Sequence, residues 1–90
     1  MSQDLLIFVK NYLTEGGDPG EFVDNYAGRW KKERDNGLGG QDNETLSEVL
    51  STIFCLADLF NPEEDREDYE IDEAELRKKM EEVLSEARFL

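Results

Sequence analysis

Ten carboxylates crowd the eighteen residues from Asp58 to Glu75: Asp58, Glu63, Glu64, Asp65, Glu67, Asp68, Glu70, Asp72, Glu73 and Glu75. Arg66 is the only base among them, so this stretch carries −9 of the chain's net charge of −13. Carboxylates at such density suit three kinds of chemistry. They can pair for acid–base catalysis, hold a hard cation, or face a cationic surface. Catalysis needs two acids set apart from their neighbours, and among 23 Asp and Glu residues no pair stands out. The chain has no histidine, which removes the commonest general base and the commonest zinc ligand. Its Ser and Thr residues lack a familiar activating base. Gly37-Leu38-Gly39-Gly40 lacks the lysine that completes a phosphate-binding loop. The chain therefore reads as a non-enzyme without a cofactor.

A cation site fails on its own spacing. Asn61, Glu63, Asp65 and Asp72 follow part of the EF-hand pattern, but Arg66 stands where the turn requires glycine. Asp68 replaces the apolar packing residue, and Asp72 replaces the last glutamate. No metal is expected. What remains is a surface for a basic partner. Net charge of −13 makes nucleic acid and anionic membranes poor partners, because both are bound through Lys and Arg. A basic protein is drawn by the same charge. The plain alternative is a solvated acidic loop. Self-repulsion at this density opposes folding, and Tyr69 and Ile71 sit inside the run, where Arg66 can tie it internally. These features favour a shaped surface. Tyr69 and Ile71 either pin it to the core or meet the partner.

Four helices must position that surface. The first spans about 2–15 with Leu5, Leu6, Phe8, Val9, Tyr12 and Leu13 on one face, and Gly16-Gly17 ends it. The second opens on Asp18-Pro19-Gly20-Glu21, with Asp18 as cap and Pro19 in the first helical position. Phe22, Val23, Tyr26, Ala27 and Trp30 form its face; Arg29, Lys31, Lys32 and Arg34 suit its negative end, and the glycines from Gly37 close it. Caps for the third fall between Asp42 and Thr45, with Thr45 and Glu48 as one possible box. Leu46, Val49, Leu50, Ile53, Phe54, Ala57 and Phe60 mark its buried face, and Asn61-Pro62 stops it. Asp72 caps a fourth helix that carries Leu76, Met80, Val83, Leu84 and Ala87 to the end of the chain. The regular stripes argue against disorder despite 37% charged residues. The expected fold is all-α, an antiparallel four-helix bundle, with residues 1–90 as a single domain.

Cys55 is the lone cysteine and, lying within the apolar pattern of the third helix, is expected in the core. A single thiol with no disulfide points to the cytoplasm. The run Leu5-Leu6-Ile7-Phe8-Val9 is too short for a signal core or a membrane span.

The string from Phe60 to Asp72, above all Asp65-Arg66 followed two residues later by Tyr69-Glu70-Ile71-Asp72, resembles the segment between the last two helices of colicin D immunity proteins. The helix to Leu90 is also similar, so the likeness covers about the last 40 residues. The resemblance implies a four-helix bundle that binds the basic, tRNA-cleaving nuclease domain of a cognate toxin as a 1:1 heterodimer. Its acidic surface would fill the catalytic cleft in place of tRNA phosphates. Carried over, Asp58 and Glu63 would lie nearest the toxin's catalytic centre, and Asp58 replaces a glutamate of the family. Glu64, Asp65, Glu67, Asp68 and Glu70 complete the toxin-binding set, while Asp72, Glu73 and Glu75 owe their positions to helix capping. Related immunity proteins serve contact-dependent growth inhibition. Two other readings use the same residues: an acidic mimic that inhibits another DNA- or RNA-binding protein, and a helical assembly module with a solvating loop.

Overall fold

The computed structural model describes residues 2–35 and 44–90. Four helices account for most of them: α1 (Ser2–Glu15), α2 (Pro19–Asp35), α3 (Glu44–Leu59) and α4 (Glu73–Glu86). The all-α bundle expected from the stripes is what forms. Its core is built from Leu5, Val9 and Tyr12 of α1, Phe22 and Tyr26 of α2, five residues of α3, and Leu76, Met80 and Leu84 of α4. Those positions recur at three and four residues, so each helix turns one continuous stripe inward.

The α1–α2 turn works through glycine geometry. Gly16 and Gly17 adopt φ of +80° and +117°, which side chains rarely tolerate. The Gly16 N–H donates to the Tyr12 carbonyl at 2.8 Å, and the Gly20 N–H donates to the Asp18 carboxylate at 3.0 Å to start α2. The returning helix stacks Phe22 on Tyr12, with centroids 4.2 Å apart, and brings Arg29 over Phe8. That order of contacts makes α1 and α2 antiparallel. Trp30 of α2 is half-buried and stacks on Phe54 of α3 at 4.2 Å. Tyr26 is fully buried, and its hydroxyl donates to the Leu50 carbonyl at 2.6 Å. Burial drives its pKa strongly upward.

The helix ends departed from expectation in two places. α3 begins at Glu44, so Thr45 already lies inside it instead of capping it. The proposed caps Asp42 and Asn43, and the closing glycines from Gly37 to Gly40, lie outside the described residues. α4 stops at Glu86 instead of running to the end. Arg88 takes a left-handed φ of 64°, the Phe89 N–H donates to the Leu84 carbonyl at 2.8 Å, and the Arg88 N–H to Ser85 at 3.0 Å. This is a Schellman turn made without glycine, which left no sequence signal. Cys55 is exposed, against its expected place in the core. It lies two residues from buried Ile53, about 200° round the helix, which turns it away from the stripe.

Arg77 of α4 ties the sheaf at the end where the acidic segment lies. It donates to the Leu13 carbonyl at 2.8 Å and to the Tyr12 carbonyl at 3.4 Å, with its guanidinium 5.0 Å from the Tyr12 ring. α1 has no basic residue in its own last turn. The cation that complements its negative end therefore comes from another helix, 64 residues away in sequence.

Candidate functional site

The acidic stretch is folded on a small polar frame. α3 ends at Leu59, and the chain then makes one parallel bridge, Phe60 with Ile71. The Asn61 N–H donates to the Ile71 carbonyl and the Ile71 N–H to the Leu59 carbonyl, both at 2.9 Å. Ile71 is buried, so the two feet of the loop are clasped together and bolted to the core. Of the two roles open to Tyr69 and Ile71, Ile71 takes the pinning one. Tyr69 does not share it: it is 69% exposed.

Between the feet, three side chains hold the shape. Asn61 accepts from the Glu63 N–H through its Oδ1 at 2.9 Å and donates through Nδ2 to Glu70 Oε1 at 3.2 Å. The same Glu70 oxygen accepts from the Glu67 N–H at 2.9 Å. Arg66 reaches inward and donates to the carbonyls of Glu63 at 3.0 Å and Asn61 at 3.3 Å, and its other nitrogen lies 4.0 Å from Asp72. The internal tie anticipated for Arg66 therefore exists, made to backbone more than to carboxylate. The Glu67 N–H first, then the Asn61 amide, hold the Glu70 carboxyl below the ordinary glutamate pKa; desolvation opposes them, and the Arg66 charge makes the smallest contribution, in the lowering direction.

Asp72 is the N-cap of α4, in extended backbone, accepting from the Glu75 N–H at 2.9 Å. Glu73 and Glu75 follow in the first turn, near the positive helix end. These three acids have local structural reasons to be present. Asp58, Glu63, Glu64, Asp65, Glu67 and Asp68 are exposed. Asp58 is the instructive one, because it occupies the last turn of α3, whose carbonyls already point negative charge outward. An acid there opposes folding by about 0.3–1 kcal/mol, so helix stability does not account for it. Beside the loop lies an open groove floored by Pro19, Phe60, Pro62 and Ala74 and rimmed by Asp72, Glu73 and Arg77. Among the described residues no cluster of acids, cysteines or histidines is arranged to hold a metal ion.

The frame thus sorts the acidic stretch into two groups. Glu70 and Asp72 spend oxygens on the loop and the helix cap. Glu73 and Glu75 sit in the first turn of α4, and the remaining carboxylates, Asp58 at the end of α3 and Glu63, Glu64, Asp65, Glu67 and Asp68 on the framed loop, are turned to solvent. A rigid, anionic, weakly apolar surface of this kind can bind a cationic one through charge-assisted hydrogen bonds.

The model of the family described as bacterial self-protective colicin-like immunity matches residues 1–87. The chain belongs to that family, and it is a toxin-inhibiting immunity protein whose partner is a cognate toxin. No curated protein matches the chain. The family match takes in the N-terminal helices as well, beyond the last 40 or so residues that carry the resemblance in the sequence. Among the described residues no helix is long and apolar enough to cross a membrane.

Proposed function

We propose that this chain inhibits a colicin D-like or contact-dependent growth inhibition tRNase by laying the exposed acids of the α3–α4 connection into the nuclease's basic cleft. The observation that carries the reading is the sorting described above. A hydrogen-bonded frame fixes the loop without using the carboxylates of Asp58, Glu63, Glu64, Asp65, Glu67 and Asp68. A ribonuclease cleft must be cationic to hold phosphates. A fixed row of carboxylates presents similar charge with no scissile bond, so the inhibitor needs no catalytic activity of its own. Asp58 supports the reading further, since its charge at the α3 terminus opposes the helix and favours only a cationic partner. Complementary charge also speeds capture of the toxin in the cytoplasm that both share before export. Glu70 belongs to the surface chiefly as its support.

The test is charge reversal at Glu63 and Asp65 together. The variant is expected to keep its helical circular-dichroism spectrum and to lose protection of cells expressing the cognate toxin. Cells that survive normally with the doubly reversed variant contradict the reading.

A further inference from the structure

Tyr69 is the most exposed large apolar side chain among the described residues, at 69%, ahead of Leu90 and Ile7. Its backbone is held more firmly than that exposure suggests. Glu67 to Glu70 form a turn closed by the Glu70 N–H donating to the Glu67 carbonyl at 3.0 Å. The same two residues are linked a second time, through the Glu67 N–H and the Glu70 carboxylate at 2.9 Å. Tyr69 is the third residue of this doubly closed turn, and the next residue but one is Ile71, buried and clasped to α3. The fold therefore presents an aromatic ring at the tip of a fixed loop and gives it no packing role. Exposed carboxylates surround it in sequence, with Asp65, Glu67 and Asp68 before it.

An aromatic residue so placed combines what interface anchors need: large contact area, few rotors to immobilise, and a fixed backbone. The chemistry of its neighbours selects the occupant. Carboxylates gather Lys and Arg, and the face of a phenol ring is attractive to the same cations once water is excluded. Resting on the reading of this loop as the toxin-binding surface, we propose that Tyr69 is the anchor of that interface, stacking on an arginine or lysine side chain of the toxin's basic cleft. The acids then govern how fast the complex forms, and Tyr69 governs how long it lasts.

Surface plasmon resonance with the purified C-terminal nuclease domain of the cognate toxin separates the two. Tyr69→Ala should weaken binding by about 30-fold or more, the size of a hot-spot truncation. The loss should lie in dissociation, with association changed less than about twofold because the charge is unaltered. Tyr69→Phe keeps the ring and should bind within about threefold of the parent. Melting temperatures should be nearly equal across the three, since most of the side chain lies in solvent. If Tyr69→Ala dissociates at the parent rate while Glu63→Lys with Asp65→Lys fails to bind, the acidic surface stands and the anchor is refuted. Equal losses for Tyr69→Ala and Tyr69→Phe would assign the effect to the hydroxyl and refute the stacking. If all of these variants bind like the parent, the loop is not the interface and both ideas fall.

Discussion

Replacing Arg77 by alanine tests how the acid-bearing end of the bundle is held. The side chain is half-buried and crosses from α4 to the last turn of α1. A well-made hydrogen bond from a charged donor contributes about 1.5–3 kcal/mol, and the 2.8 Å contact with the Leu13 carbonyl qualifies. The 3.4 Å contact with Tyr12 is near the limit of geometry and adds little. The guanidinium over the Tyr12 ring, 5.0 Å from its centroid, contributes about 0.5–1 kcal/mol at a partly exposed site. These terms share one side chain and overlap, so a combined loss of about 2–3 kcal/mol is expected. For a domain of this size that lowers Tm by roughly 10 °C or more. Urea denaturation is the assay, with an unchanged m-value showing that the same cooperative unit unfolds. Arg77→Lys keeps the charge at the α1 terminus but loses the planar fork, and should recover less than half of the loss. A loss below about 0.5 kcal/mol, the ordinary range for surface substitutions, or full rescue by lysine, would refute the cross-helix cap.

The two buried tyrosines should differ. Tyr26→Phe removes the 2.6 Å bond to Leu50 and should cost about 1 kcal/mol, whereas the Tyr12 hydroxyl makes no well-formed hydrogen bond and has the Arg77 guanidinium beside it, so Tyr12→Phe should change stability by less than about 0.5 kcal/mol; equal losses in urea denaturation would contradict this. Arg88→Gly relieves a left-handed side-chain-bearing residue and should stabilise by about 0.5–1 kcal/mol, read as a rise in Tm. Glu70 should titrate below 4.5 by carboxyl NMR. Because its folded pKa is depressed, its support of the loop is complete above 4.5 and is lost as pH falls through the lower folded value. Glu70→Gln should abolish that acid-side change, and a midpoint at or above 4.5 would contradict the assigned hydrogen bonds.

Periodicity made the helices legible because each helix buries one face, and Leu5, Val9, Tyr26, Ile53, Leu76 and Met80 all lie where their stripes place them. Asp18 and Asp72 were legible for a different reason: a cap and the N–H it serves lie within three residues of each other. Arg77 was not, because its partners are 64 and 65 residues away and no local pattern connects them. The same holds for the Phe60–Ile71 clasp, where a helix-stripe residue leaves its helix to pair with the far foot of the loop. Tyr69 and Ile71 show the limit most clearly. Two apolar residues two apart in an acidic run look alike in sequence. The clasp buries one, and the turn from Glu67 to Glu70 turns the other out. Charge marked the candidate surface and capping set Asp72 apart in the sequence, while only the hydrogen bonds separate Glu70, which helps build the surface, from the acids it presents.

The central claim is that the acidic loop and RNA compete for one cleft on the toxin. Fluorescence anisotropy with labelled tRNA and a catalytically inactive form of the cognate toxin's nuclease domain measures this directly. Titrating in the immunity protein should release all of the bound tRNA, with the end point at one protein per nuclease domain and no slower-tumbling species on the way. A stable ternary complex of tRNA, nuclease domain and immunity protein would contradict the claim.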